Sequence, residues 1–286
     1  MVTSMEVVKV QTRLGSDISD HTDADVQRIY NTLICVAQEI AGTDMLGIEM
    51  TRAANGDPTT TLDHKINDII RNTLHTDGEG WLSEESKDDP KRLNHSRVWI
   101  VDPIDGTREF VEGIPEWAVS IGLAVDHEAV AGGVLNPCTG ELFLGSLSDG
   151  LKMIQLKGSH SDGPRGKSNS VLVSRSEYNK GKWSSMEEAG LPIKPVGSIA
   201  YRLARVAAGL DPATCTFETR SEWDVAAGVA LMYASGGRVQ TGNEKRIQFN
   251  NEVPLLKALF AFGENCPPAI EQMLGNQTVR PSLSNG

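Results

Sequence analysis

The sequence has no apolar run of the roughly 18 residues that a membrane-spanning helix requires. Its N-terminal stretch, Met1 to Asp17, mixes charged and polar side chains and lacks the apolar core of a secretory signal peptide. We therefore expect a cytoplasmic protein without a membrane partner.

Cysteine is scarce, with 4 residues in the 286-residue chain, so a disulfide-based scaffold is not expected. The cysteines are widely spaced and form no CxxC pair, which excludes the usual zinc and redox motifs. We expect reduced and mostly buried thiols at Cys35, Cys138, Cys215 and Cys266.

Basic residues are in deficit, because 27 Lys and Arg stand against 38 Asp and Glu, giving a net charge of −11. This excess of acid repels nucleic acid, and no basic stripe offsets it, so no nucleic acid partner is expected. A bound divalent metal ion would reverse the local field and let an anionic substrate approach. Most acidic side chains in any protein simply face solvent, so individual residues need further argument.

The chain is long enough for one large domain or for two packed halves. Apolar spacing predicts helices at 22–41, capped by Thr22, and at 62–74, followed by strands at 98–101, 117–125, 129–135 and 141–144. The segment 158–169, rich in Gly and Ser, predicts a linker between an N-terminal half, 1–157, and a C-terminal half, 170–286. In the second half, strands are predicted at 170–173, 238–240 and 258–262, and helices at 199–208 and 226–234.

The segment Asp102-Pro103-Ile104-Asp105-Gly106-Thr107 ends the strand that begins at Val98. Two carboxylates three residues apart across a stiff turn can converge on one point, and such oxygen ligands suit Mg²⁺ or Mn²⁺. Amides of Gly106 and Thr107 would face an anion if a short helix opened there and ran to Val111. The alternative is an ordinary surface turn, since Asp, Pro and Gly are common in turns.

Three further acidic positions recur around this motif, and each has an ordinary structural alternative. Glu84, in Leu82-Ser83-Glu84-Glu85, could bind metal and accept a proton from water, or could lie in an exposed acidic loop. Asp224 and Asp63 each lie near a predicted helix start, where Asp most often caps the helix.

Together these segments resemble the inositol monophosphatase superfamily of Mg²⁺-dependent, lithium-sensitive phosphatases. Trp99 to Phe110 (WIVDPIDGTREF) is similar to that family's WxxDPxDGTxxF motif, and Ser221 to Gly228 (SEWDVAAG) to its WDxAAG motif. The DPTTTLD and LSEES stretches are similar to the two upstream acidic elements. Order and approximate spacing agree from about Thr22 to Val239.

The resemblance implies a layered α-β-α-β-α sandwich of the α/β class, with the active site between the halves, and a homodimer. It implies two or three Mg²⁺ ions per site, with Mn²⁺ as an alternative, held by Glu84, Asp102, the carbonyl of Ile104, Asp105 and Asp224. Glu84 and Thr107 would activate the attacking water, and Asp63 would assist from the outer part of the site. Asp105, Gly106 and Thr107 would contact the phosphate group.

Within the superfamily, the residues of two motif segments favour the 3′(2′),5′-bisphosphate nucleotidase branch, the CysQ type. That branch implies a substrate such as 3′-phosphoadenosine 5′-phosphate. Thr107-Arg108-Glu109-Phe110 resembles that branch's TKEF, and Ser174-Arg175-Ser176 its SRS(H), although Glu177 stands where the branch has His. The sugar-binding Glu of inositol enzymes falls at Phe217 here. Gly113 to Trp117 resembles the GxPxW of histidinol-phosphate phosphatases. An inositol-1-phosphate, histidinol-phosphate or other nucleotide or sugar monophosphatase remains an alternative.

A second anionic group on the substrate would need cations, for which Arg is well suited. A solvated surface role remains the alternative for each Arg. A different class of function, a regulatory binding protein with residual activity, is opposed by the complete set of acidic ligands. The residues proposed to contact the substrate are Ser174, Arg175, Ser198, Tyr201, Arg202 and Arg220.

Overall fold

The computed structural model describes residues 7–12, 24–44, 48–52, 58–157, 166–242 and 246–278. Among the helices of these ranges, none combines the length and the apolar character that a bilayer span requires. The predicted cap at Thr22 and most of the predicted linker at 158–169 lie outside the described residues. The proposed boundary between two halves therefore stays a prediction.

Sixteen strands and eight α-helices are found in the described ranges. The helices are α1 (Ala24–Gly42), α2 (Thr61–Leu74), α3 (Thr107–Val111), α4 (Arg175–Asn179), α5 (Ser184–Glu188), α6 (Ile199–Ala207), α7 (Glu222–Ala234) and α8 (Pro268–Thr278). The strands are β1 (Val7–Thr12), β2 (Met50–Arg52), β3 (Pro58–Thr60), β4 (Gly80–Ser83), β5 (Arg97–Asp105), β6 (Ala118–Val125), β7 (Glu128–Asn136), β8 (Glu141–Ser146), β9 (Gly150–Leu156), β10 (Val171–Ser174), β11 (Ile193–Val196), β12 (Ala213–Thr216), β13 (Arg220–Ser221), β14 (Arg238–Thr241), β15 (Leu255–Leu256) and β16 (Leu259–Phe262).

Two large sheets organise the molecule. The first has the strand order β1-β9-β8-β7-β6-β5-β4, and its pairs are antiparallel except β4 with β5. The second has the order β11-β10-β12-β16-β14, with parallel pairs around β10 and antiparallel pairs around β16. The parallel pairing of β4 and β5 brings the carboxyl ends of two strands, and the acidic residues that follow, to one edge.

Five layers result, because both sheets are apolar on both faces. Along β5, Trp99 and Val101 pack with α1 and α2, whereas Val98 and Ile100 pack with α6 and α7. The opposite side of α6 and α7 contacts the second sheet, whose far face packs against α5 and α8. The predicted α-β-α-β-α sandwich is confirmed.

Helix α7 lies almost on the backbone of the first sheet. A Cβ atom added at Gly132 would lie 2.5 Å from the carbonyl oxygen of Ala227, and one at Gly122 would lie 2.8 Å from the Cβ of Ala226. Larger residues in the Ala-Ala-Gly stretch would therefore push α7 away. The small residues fix the helix start, which carries Asp224, against β5 and β6.

Most predicted elements lie within a few residues of the observed ones, but three differences stand out. The strand predicted to end at Asp102-Pro103 continues to Asp105. Its register with β6 shifts between Asp102 and Asp105, so Pro103, which has no N–H, does not have to donate a hydrogen bond between the strands. Helix α7 begins at Glu222 rather than at Ala226. Strand β9 was not predicted from the sequence. Its half-buried residues include Lys152 and Gln155, so apolar and polar residues do not alternate clearly along it.

Candidate active site

The turn after β5 is built by its own side chains. The Oδ1 atom of Asp102 accepts a hydrogen bond from the Ile104 amide at 2.9 Å, and the Thr107 hydroxyl donates to the Ile104 carbonyl at 3.0 Å. Gly106 has φ of +94°, and a Cβ there would lie 3.2 Å from the Glu116 carbonyl, so only glycine fits without strain. The sequence DPIDGT thus folds into a turn, and α3 begins at the last residue of this turn, as predicted.

Glu84 reaches the same place from the neighbouring strand. It directly follows β4, and its amide donates to the Val101 carbonyl at 3.3 Å, which extends the parallel pairing toward the turn. The charge of Glu84 raises the pKa of Asp102, so the two carboxyl groups lie close together. That they share a metal ion stays a prediction.

Asp224 combines two roles that the sequence offered as alternatives. Its Oδ2 atom accepts a hydrogen bond from the Ser221 amide at 3.1 Å, closing a capping box at the start of α7. The same side chain lines the cleft that Asp102 and Asp105 line. A cap and a ligand position are thus compatible in one residue.

Asp63 lies behind the cleft rather than in it. It is 2% exposed, and its Oδ2 atom accepts hydrogen bonds from the amide of Thr60 at 2.8 Å and the hydroxyl of Thr60 at 2.5 Å. Asp63 does not appear among the described residues that line the cleft, although its charge raises the pKa of Asp102. Burial raises the pKa of Asp63 itself to about 6.

The clustered carboxyl groups raise each other's pKa values. Burial, followed by the charges of Glu84, Asp105 and Asp224, holds the pKa of Asp102 well above its usual range. Burial and the charge of Asp224 raise the pKa of Glu84 to about 8. Burial also raises the pKa of Asp105, against the lowering effect of its hydrogen bonds. The cluster therefore holds negative charge that its own surroundings do not neutralise.

This donor set fits a hard divalent cation. Carboxylate oxygens prefer Mg²⁺ or Mn²⁺ to softer metals, and a cation would relieve the repulsion that raises the pKa values. In the described part of the chain, no group of three or more His, Cys, Asp or Glu side chains is already arranged to hold a metal ion. The fit rests on donor chemistry and on uncompensated charge.

Asp105 also connects the two sheets. Its Oδ2 atom accepts hydrogen bonds from the Ser198 hydroxyl and from the Ala200 amide, both at 2.6 Å, at the start of α6. Ser198 adopts a φ of +49°, which is unusual for a residue other than glycine. The geometry makes Asp105 a second cap for α6.

The cleft has a volume of about 420 Å³, within the range typical of small-molecule sites. The acidic cluster forms one wall together with the turn at Gly106 and Thr107. A second group of lining residues, between positions 174 and 220, is largely polar and carries three cations, and we call it the cationic wall. This group includes Ser174, Ser176, Lys180, Arg202, Glu218 and Arg220.

Residues 17–274 match the sequence pattern of the inositol monophosphatase family. The chain belongs to the inositol monophosphatase family. Members of this family are phosphatases, and the chain is accordingly a phosphoric monoester hydrolase.

Individual relatives carry several different names. Inositol-1-monophosphatase from Rhizobium meliloti (strain 1021) is 30% identical over 226 residues, covering 74% of this chain and 82% of the relative. The Nus factor SuhB of Pasteurella multocida (strain Pm70) is 27% identical over 209 residues, covering 67% of this chain and 74% of the relative. The crystal structure of CysQ from Bacteroides thetaiotaomicron superimposes with a TM-score of 0.66 at 22% identity, covering 86% of this chain and 100% of CysQ.

Two residues that the sequence placed at the substrate are engaged elsewhere. Tyr201 has no exposed surface, and its hydroxyl donates to the Glu141 carboxylate, so its ring is not available to a ligand. Arg175 pairs with Glu116 at 2.5 Å and does not appear among the described residues lining the cleft. The prediction for Tyr201 is wrong because its face of α6 packs in the core. The prediction for Arg175 stays a prediction, since its side chain is partly exposed beside lining residues of α4. The other substrate candidates do line it: Ser174, Ser198, Arg202 and Arg220.

Sequence reasoning missed several residues of this family member's cleft. Lys180 and Glu109 line it. Lys180 belongs to no motif, and Glu109 lies within the Trp99 to Phe110 motif, where it was not singled out as a contact residue. Glu218 also lines it and pairs with Lys180 and Lys182, each at 3.0 Å. A chain segment that closes a cleft through tertiary contacts has no periodic signal.

Proposed function

We propose that this phosphatase is Mg²⁺-dependent and removes a phosphate monoester from a small nucleotide that carries a second anionic group, such as 3′-phosphoadenosine 5′-phosphate. One observation carries the proposal: the same cleft is lined by four carboxylates and by three cations, Lys180, Arg202 and Arg220. The carboxylates suit a metal-bound phosphate, and the cations suit an anionic leaving group.

The acidic wall would carry out the chemistry. Divalent cations bound there would neutralise phosphate charge and make a water molecule more acidic. The ligands would be Glu84, Asp102, Asp105, Asp224 and the Ile104 carbonyl, with Asp63 supporting Asp102 from behind.

Residues of the chain would accept the proton, orient the water and bind the phosphate group. Water attacks phosphorus, ionised Glu84 accepts the proton of the water, and the bond from phosphorus to the ester oxygen breaks. The ester oxygen takes up a proton from solvent, and Glu84 releases its proton to solvent. Thr107 would orient the water, and the amides of Gly106 and Thr107 would bind phosphate oxygens. The products are inorganic phosphate and the dephosphorylated alcohol.

The leaving group would lie toward the cationic wall. Charges of Arg220 and Arg202 already lower the pKa of Asp105, which shows that both guanidinium groups lie within electrostatic reach of the acidic wall. Apolar surface adjoins them, because half-buried Trp223 and the 53% exposed Leu255 also line the cleft. A planar base fits such apolar surface better than a polyol does.

Two other functions have specific support. The relative from Rhizobium meliloti is named for inositol-1-phosphate hydrolysis, and Glu218 in the cleft wall could accept hydrogen bonds from a polyol. The Pasteurella relative is named a Nus factor, which supports a regulatory binding role. The complete set of four acidic residues favours catalysis over binding alone.

A substrate panel tests the proposal directly. Phosphate release is measured with Mg²⁺ on 3′-phosphoadenosine 5′-phosphate, mononucleotides, inositol-1-phosphate, histidinol phosphate and sugar phosphates. We expect the highest kcat/KM for the bisphosphate, and a clear preference for inositol-1-phosphate would refute the nucleotide assignment. Inhibition by lithium and assembly as a homodimer stay predictions that the same preparation can test.

A further inference from the structure

Glu177 is a buried carboxylate whose role the proposed chemistry leaves unassigned. It lies on α4 and has no exposed surface. Its Oε1 atom accepts hydrogen bonds from the Thr216 hydroxyl at 2.5 Å and from the amides of Phe217 and Glu218, both at 3.0 Å. Three donors on one oxygen fix the chain firmly at this point.

The segment that Glu177 holds is part of the cleft wall. Directly after Phe217, the residues Glu218, Thr219 and Arg220 line the cleft. On the other side of Glu177, Ser174 and Ser176 line it as well. Glu177 thus joins, from behind, the two chain segments that face the leaving group.

Glu177 also lies among the cations of this wall. The nearest nitrogen of Arg220 is 3.9 Å from its Oε1 atom, and its charge raises the pKa of Arg202. Arg202 is held further by Thr214 and the Cys215 carbonyl, at 3.0 and 3.1 Å. Within the described residues, the buried Nε of Arg202 and the buried Oε2 of Glu177 have no hydrogen-bond partner.

One carboxylate beside two guanidinium groups keeps them together and leaves a net positive charge facing the cleft. Without it, two like charges would repel each other in a partly buried place. If Glu177 only capped the backbone, its hydrogen bonds would be sufficient and its charge would not matter. Because two arginines lie beside it, the negative charge of Glu177 also holds their guanidinium groups in place.

We propose that Glu177 is a positioning residue that sets the preference for leaving groups bearing a second anionic group, by orienting Arg220 and the backbone at 216–218. This inference rests on the proposed nucleotide substrate. It predicts an effect on substrate binding that spares the hydrolytic step, since Glu177 contacts none of the metal-ligand candidates.

A matched pair of substrates tests the charge. 3′-Phosphoadenosine 5′-phosphate and adenosine 3′-phosphate share the scissile ester and differ by the 5′-phosphate. Glu177→Gln keeps the shape and an acceptor oxygen but removes the charge. We expect its KM for the bisphosphate to rise about fivefold and its kcat to change by less than about twofold, with little effect on the monophosphate.

Two controls separate positioning from general damage. Glu188→Gln makes the same chemical change on the exposed end of α5 and is expected to leave both KM values unaltered. In an Arg220→Ala background, Glu177→Gln is expected to have almost no further effect on KM, because the two residues act together. Additive effects, or equal losses of kcat on both substrates, would overturn the inference.

Failure of the substrate assignment gives a different result. If the wild-type enzyme hydrolyses both adenosine substrates with equal kcat/KM, the proposed substrate class falls. The inference is then decided by hydrogen exchange at the amides of Phe217 and Glu218. Exchange at least about tenfold faster in Glu177→Ala than in Glu188→Gln keeps the positioning role, and unchanged exchange refutes it.

Discussion

The two walls of the cleft differ in how their charges are balanced. On the acidic wall, burial raises the pKa values of Glu84, Asp102 and Asp105, and the charges of neighbouring carboxylates raise those of Glu84 and Asp102 further. On the cationic wall, burial opposes ionisation of Glu218, but hydrogen bonds from Lys182 and Lys180 hold its pKa at about 2.

This difference shows which wall needs a ligand to be stable. The acidic wall stores repulsion that either protonation or a bound cation relieves, so a divalent metal ion bound as proposed would stabilise this wall. The cationic wall is already paired internally and can select a substrate without a large change in protein stability. Substitutions that remove one charge at a time distinguish the unrelieved repulsion of the acidic wall from the internal pairing of the cationic wall.

The largest expected effect concerns the acidic wall. Asp105→Asn removes one charge of the candidate metal site and weakens the cap on α6. We expect kcat/KM to fall at least about a thousandfold because a metal ligand is lost. Steady-state kinetics and circular dichroism measure activity and folding together, and full activity in a folded variant would remove Asp105 from the metal site.

The second prediction concerns the pH dependence of metal binding. A cation binds the ionised form of Glu84, whose pKa is raised to about 8, so binding below that pH displaces a proton. Apparent Mg²⁺ affinity should rise with pH, by up to about tenfold per unit per displaced proton, and level off above about pH 8. Calorimetry in buffers of different ionisation enthalpy counts the protons, and equal affinity at pH 6.5 and 8.5 would contradict the prediction.

The third prediction concerns the cationic wall. Arg220→Ala should raise the KM for 3′-phosphoadenosine 5′-phosphate about tenfold and that for adenosine 3′-phosphate by less than about twofold. Because the contacts of Arg220 among the described residues are with Thr216, Glu177 and Glu218 and not with the candidate metal ligands, kcat should stay close to wild type. Equal changes for the two substrates would exclude Arg220 from substrate selection.

The smallest expected effect concerns stability without metal. The pKa of Glu84 is raised from 4.5 to about 8 by folding, so the metal-free protein loses stability as pH rises through this interval. Glu84→Gln should therefore have a free energy of unfolding about 1 kcal/mol higher than wild type at pH 8, and a higher melting temperature. The gain is small because solvent in the cleft screens the part of the side chain that stays exposed. Added Mg²⁺ should reverse the order, and a lower melting temperature without metal would show that the repulsion is negligible.

Sequence reasoning succeeded where a residue's role depends on its immediate neighbours. The turn at Asp102 to Thr107 was predictable because Pro103 and Gly106 restrict the backbone locally. The register shift that carries β5 on to Asp105 was not, since it depends on pairing with β6. Tyr201 was misplaced for the same reason: its burial depends on Glu141, which lies 60 residues away in the sequence.

The sequence by itself determined the acidic motifs and the local turn that holds two of the acidic residues, because backbone restriction acts over a few residues. Apolar periodicity predicted single helices and strands, and the alternating layers of the sandwich were implied by the resemblance to the family. Only the tertiary structure decided which arginines face the cleft, that Arg175 pairs with Glu116, and that Glu177 supports the cationic wall. Such pairings join segments far apart in the chain, and burial selects them only when the layers have packed.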